Sequence, residues 1–198
     1  MNIDKTTHKI TKNNHHSETV EKKQIIISNS LRKKNYHIIR LKHKEIGNTK
    51  EWNMFTVSRN GTIFQHFDEN FYSDFIGNKK VDKQSISIVI ENMCCLLKRK
   101  GFYVNWLGEV CNEKDVINKN WLGFNFWERY NDIQIESLAL LCRFLCKKHN
   151  IPTKMIDFKH FNKTINNFNG IVFKSNFFQN SNDTNPSFDI QKFNEHIN

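Results

Sequence analysis

Residues 132–149 carry an apolar stripe of helical period: Ile135, Leu138, Leu141 and Leu145 fall on one face, with charge opposite. Asp132 reads as the N-cap. Lys147, Lys148 and His149 occupy the last turn, where the helix dipole favours positive charge, and Pro152 prevents continuation. A helix of this kind must lay its stripe against another layer. The sequence offers strands for that layer. Residues 84–92, QSISIVIEN, alternate Ser with Ile and then turn wholly apolar, the pattern of a buried strand that begins at a sheet edge. Residues 53–67, NMFTVSRNGTIFQHF, read as a hairpin with strands at 54–57 and 62–67 and a turn at Asn60-Gly61. Residues 170–173, GIVF, read as a short inner strand. Strands alternating with helices predict an α/β fold: a single domain with a central mixed β-sheet flanked by helices.

The remaining segments are less regular. Residues 1–12 form a basic N-terminal arm or a weak edge strand, and a helix is expected within 20–34. Residues 101–131 form an aromatic insertion, with a strand or hairpin at 101–110 and a long loop over 112–131. Residues 154–169 are a further insertion with some helical character. An Asn/Ser-rich loop covers 174–185, and a short helix closes the chain at 186–197.

The net charge of +10 is uneven, since residues 1–50 hold twelve Lys/Arg against four Asp/Glu. Such a lobe attracts nucleic acid, anionic glycan or an acidic protein. The plain alternative is solubility in a lysine-biased composition, and neither an RNA-binding aromatic motif nor zinc-finger spacing accompanies the charge. The five cysteines show no framework spacing and read as free thiols of a reducing compartment; Cys142 and Cys146 share one helix face. No apolar stretch of about 18 residues and no signal-peptide core is present, so no membrane partner is expected, and the reading is cytoplasmic or virion-associated.

Several short runs fall in a shared order: His15-His16-Ser17; SRNGTIFQ; Ser85-Ile86-Ser87-Ile88-Val89; Trp127-Glu128-Arg129-Tyr130-Asn131-Asp132-Ile133-Gln134; the helix exit at 147–152; residues 170–174; and Asn185-Pro186-Ser187-Phe188-Asp189. In that order and spacing the chain resembles the type-2 N-acetylmuramoyl-L-alanine amidases, the family of the phage amidase-type lysozymes and the peptidoglycan recognition proteins. The resemblance covers roughly residues 13–193, makes 13–198 one amidase-like domain, and looks closest to the phage-borne branch through the insertion at 101–131.

The resemblance implies a zinc ion on three protein ligands with an open fourth position, activating water against an amide of peptidoglycan. Its ligands are the first His of the opening strand's terminal run, the residue after the late strand, and the residue before the final Pro. On this chain they fall on His15, Lys174 and Asn185. An ammonium has no lone pair and a neutral amide is a poor zinc ligand. The hairpin positions of the family's proton-transfer groups read Asn53 and Met54. The strand-end Glu position reads Val89, with Glu91 about 6–7 Å further along the strand. The family Lys near the last ligand reads Asp183. The expectation is therefore a catalytically degenerate amidase-fold protein with no metal cofactor, binding a peptidoglycan fragment or a protein partner in an assembly, plausibly of a phage particle. One alternative is an active zinc amidase with a displaced site drawn from His16, His66, His160 and Asp183. The other is a nucleic-acid-associated protein using residues 1–50. Trp106, Trp121, Trp127, Phe124 and Phe126 are either a glycan groove or packing; packing is favoured for most, with Trp121 or Trp127 left exposed to substrate.

Overall fold

The computed structural model describes residues 2–35, 38–40 and 47–197. Its strands are β1 (Ile3–Asp4), β2 (Gln24–Asn29), β3 (Phe55–Val57), β4 (Ile63–Gln65), β5 (Ser85–Ile90), β6 (Cys95–Arg99), β7 (Phe102–Val104), β8 (Val110–Cys111), β9 (Val116–Trp121), β10 (Phe124–Glu128) and β11 (Gly170–Phe173). Among the described residues, α-helices whose full span is described are α1 (Lys79–Gln84), α2 (Asp132–His149) and α3 (Ile190–Ile197).

Ile25, Ile26 and Ile27 are wholly buried, which requires a strand covered on both faces. That strand is β2, parallel to β5 on one side and to β11 on the other. The segment 20–34, expected as a helix, thus contributes a central strand. A short continuous apolar run has no period to separate the two forms, and β-branched residues decide in favour of the strand. The main sheet runs β1-β4-β3-β5-β2-β11, and within it only β3 and β4 are antiparallel. It is the mixed sheet of an α/β domain, as the alternation of elements predicted.

Strand parity divides the core. Ile25, Ile27, Ile86, Ile88, Ile171 and Phe173 face the layer that holds Leu138, Leu141 and Leu145 of α2 and Phe193 of α3. Ile26 and Val172 face the other way, with Val81 of α1 and Ile165. Each fully buried Leu or Ile side chain contributes about 1.5–3 kcal/mol of transfer free energy, so the α2 stripe is a principal stabiliser. The N-cap is Asn131, one residue before the expected Asp132; its backbone is extended and its amide donates to Gln134 Oε1 at 3.2 Å. Asn150 closes α2 in the left-handed region at φ 55°.

Of the two forms expected for the N-terminal segment, the edge strand is the one observed: Ile3–Asp4 lies beside β4, and Ile10 enters the core. A second segment differs from expectation. The aromatic segment 101–131 is mostly sheet. Strands β6 to β10 form a second, antiparallel sheet in the order β8-β7-β6-β10-β9. The expected loop over 112–131 contains β9 and β10, joined at Leu122 and Gly123, both at positive φ (47° and 79°), a tight turn that the twist of paired strands favours. Among the described residues no helix is long and apolar enough to cross a membrane.

Candidate functional site

In parallel α/β sheets, ligands gather beyond the carboxyl ends of the strands. Here β2 ends in Ser28-Asn29, β5 passes Val89 near its end, and β11 runs directly into Lys174. These residues line one cavity of about 490 Å³, together with Asn53, Phe75 and Asp183.

Asp183 joins the long loop after β11 to the end of β2. Its Oδ1 accepts from the Asn29 amide at 2.8 Å and its Oδ2 from the Ser28 hydroxyl at 3.0 Å. Asn29 Nδ2 donates in turn to the Asp183 carbonyl, and the Cys94 thiol donates to the Asn182 carbonyl at 2.5 Å. Burial pushes the Asp183 carboxyl above its ordinary range, while the nearby Lys174 ammonium pulls it down. Lys174 Nζ lies 4.7 Å from the centre of the Phe75 ring, within cation–π reach, and forms no ion pair among the described residues.

Of the residues singled out in the sequence, Asn53, Val89, Lys174 and Asp183 share this cavity. His15 does not line it. Residues 12–14 form a 3-10 helix, and His16 makes only an isolated bridge to Tyr72, so no strand ends at His15-His16-Ser17. The His15 ring stacks on Phe67 and Phe71, at 4.8 and 5.3 Å between centroids, and burial lowers its pKa. His16 Nε2 instead meets Asp74 Oδ1 at 3.0 Å on the cavity's rim. The strand that lies between β5 and β11 is β2, and its Ser28 and Asn29, which line the cavity, were not among the residues singled out in the sequence. The signal was present in the β-branched run before them.

Asn185 also lies outside the lining. It is wholly buried, and its Nδ2 donates to Asn92 Oδ1 at 2.8 Å and to the Glu128 carbonyl at 2.9 Å. Its Oδ1 accepts from Ser187, so both side-chain ends are occupied in a structural network that continues through Tyr130 to Asn29. Met54 is core. Glu91 is buried beside a different cavity and accepts from the Asn35 amide at 2.9 Å. His66 bonds Thr56 Oγ1 and the His8 carbonyl, both at 2.8 Å, and His160 lines a third cavity with Phe161 and Phe178.

Trp127, expected as an exposed candidate for substrate stacking, is 0% exposed and donates its indole N–H to the Lys119 carbonyl. The alternation along β10 turns it inward, where Trp121 packs on it at 5.3 Å. The exposed tryptophan is Trp106, at 65%.

Zinc needs about four donors with available lone pairs, anionic or imidazole by preference. Of the carboxylates on the lining, Asp183 already holds two donors, Asp74 is paired with His16 and Glu51 is exposed to solvent; the other polar groups are serine hydroxyls, amides, the Lys174 ammonium and the Arg40 guanidinium. Among the described residues no group of three His, Cys, Asp or Glu is placed to hold a metal ion. The donor set does not fit zinc.

A family model described as N-acetylmuramoyl-L-alanine amidase matches residues 8–175. No curated protein sequence matches significantly. Among solved structures, the chain is similar to the N-acetylmuramoyl-L-alanine amidase LysC from Clostridium intestinale URNW, with TM-score 0.56, 14% identity, and 98% and 96% of the two chains covered. It is similar to a mutant endolysin from Bacillus subtilis, with TM-score 0.56, 16% identity, and 100% and 99% covered. It is also similar to the catalytic domain of XlyA, with TM-score 0.56, 15% identity, and 100% of both chains covered. At such identities the structural likeness concerns the fold alone.

Proposed function

From the premise that this chain belongs to the N-acetylmuramoyl-L-alanine amidase family, we propose that it keeps the amidase fold as a peptidoglycan-binding or structural module and has lost zinc-dependent hydrolysis. The observation that carries the reading is the replacement of metal-ligand chemistry at the strand ends. We take Ser28 rather than His15 as the first ligand position; β2 lies between β5 and β11 and its end lines the cavity, which supports this reading. The second position stays at Lys174. The third is reassigned from Asn185 to Asp183, whose carboxylate reaches the cavity while Asn185 is committed elsewhere. A hydroxyl, an ammonium and a doubly bonded carboxylate replace a cation's donor set, and the Lys174 charge repels a divalent ion.

The family's substrate supports peptidoglycan as the partner. In place of the strand-end acid, Val89 offers no proton-transfer group for activating water. Purified peptidoglycan incubated with the protein and zinc should release no new amino termini above a chelated control. Release that appears with zinc and vanishes with chelator would overturn the reading.

A further inference from the structure

The loss of a metal leaves a positive charge in the same place, and that charge has consequences for what the cavity holds. The inference rests on the metal-free reading above. Lys174 Nζ is held against the face of Phe75 at 4.7 Å. Asp183, the acid that interacts with it, has both carboxylate oxygens engaged by Ser28 and Asn29. Of the other acids on the lining, Asp74 is paired with His16, and Glu51 is exposed to solvent. The ammonium therefore retains hydrogen-bonding capacity toward the cavity, since it has three donors and no ion pair among the described residues. The same lining carries a second cation, Arg40, and the apolar side chains of Val89, Ile76 and Leu31. The volume of about 490 Å³ lies within the range of small-molecule sites.

We infer that this cavity binds a carboxylate, with Lys174 as the anion-holding residue in place of the metal. Within peptidoglycan chemistry that group has two sources. One is the lactyl carboxylate of a muramic acid unit from which the peptide has been removed. The other is the terminal carboxylate of a stem peptide. Both place a carboxylate next to a short aliphatic group, matching an ammonium that shares its lining with apolar side chains. An intact lactyl amide has no charge to offer Lys174. For the lactyl source the preference is thus for cleaved over uncleaved wall, the reverse of a hydrolase's preference for its substrate.

Calorimetric titration of the full chain tests this. The probes are N-acetylmuramic acid, its methyl ester, N-acetylglucosamine, and the dipeptide L-alanyl-D-isoglutamine with its amidated form. A carboxylate-bearing probe should bind at least about tenfold more tightly than its neutral partner, since only the acid makes a charge-assisted hydrogen bond to Lys174. Preference for muramic acid assigns the glycan source, and preference for the dipeptide assigns the peptide source. Lys174→Met should remove the preference, and Lys174→Arg should keep it. Equal affinity for acids and neutral partners, or no binding of either acid, overturns the inference even where the Met variant fails to fold. A preference that survives in a folded Lys174→Met variant does the same. Zinc-dependent amide cleavage in the same preparation would instead sink the metal-free reading.

Discussion

Asp183 holds the loop between β11 and α3 onto the end of β2, and removing its carboxylate should loosen that attachment by a calculable amount. In Asp183→Ala the Asn29 amide loses its acceptor in a site where Asp183 itself is 8% exposed. The Ser28 hydroxyl keeps only a 3.4 Å contact with the Asn29 carbonyl. An unsatisfied buried donor costs about 1–3 kcal/mol. Relief of a buried carboxylate offsets part of this, so a net loss of about 2 kcal/mol is expected. For a domain of this size that is a fall of about 4–8 °C in Tm. Asp183→Asn keeps one oxygen for the Asn29 amide, and its NH2 meets a hydroxyl able to accept, so its cost should stay below about 1 kcal/mol. Differential scanning calorimetry at neutral pH separates the two. The pH dependence gives a second check. Because the folded carboxyl titrates above its unfolded value, the native state binds the extra proton. Wild type should therefore gain stability relative to the Asn variant as pH falls from neutral through that folded value. An Ala variant as stable as wild type, or an Asn variant as damaged as Ala, refutes the argument.

Lys22 is 2% exposed, its ammonium donates to the Phe71 and Lys83 carbonyls, and burial lowers its pKa to about 7. Its native form binds fewer protons than the unfolded chain between pH 7 and the ordinary lysine value, so stability should rise with pH across that window. Lys22→Met should flatten the rise in a urea-denaturation series, and an unchanged slope would contradict the assignment. Gly61, at φ 81°, sits where a Cβ would fall 2.8 Å from Ile133 Cγ1 and from Ser137 Oγ. Gly61→Ala should cost about 1–3 kcal/mol from left-handed strain and crowding against α2; a neutral substitution in thermal melts would show that this turn tolerates displacement.

The elements legible in the sequence were those with a clear period. The stripe of α2, the alternation of β5 and the Asn-Gly hairpin all fall where their patterns placed them. β2 was not legible because three buried isoleucines have no period to read. The second sheet was hidden for a related reason. β7 and β8 are three and two residues long, too short to establish an alternation, and the turn at Leu122-Gly123 uses a residue whose type gives no hint of positive φ. At the site, Lys174 follows directly from the end of β11 and was readable by counting. The pairing of Asp183 with Ser28 spans 155 residues and depends on how the loop folds back, which no local pattern encodes.

The central proposal is that Lys174 and Asp183 stand at the strand ends in place of the zinc ligands that the resemblance implies. Metal content per chain, measured after purification in excess zinc and extensive dialysis, addresses it most directly. Far less than one equivalent of zinc is expected, unchanged by Lys174→Met; one tightly retained zinc per wild-type chain would contradict the account.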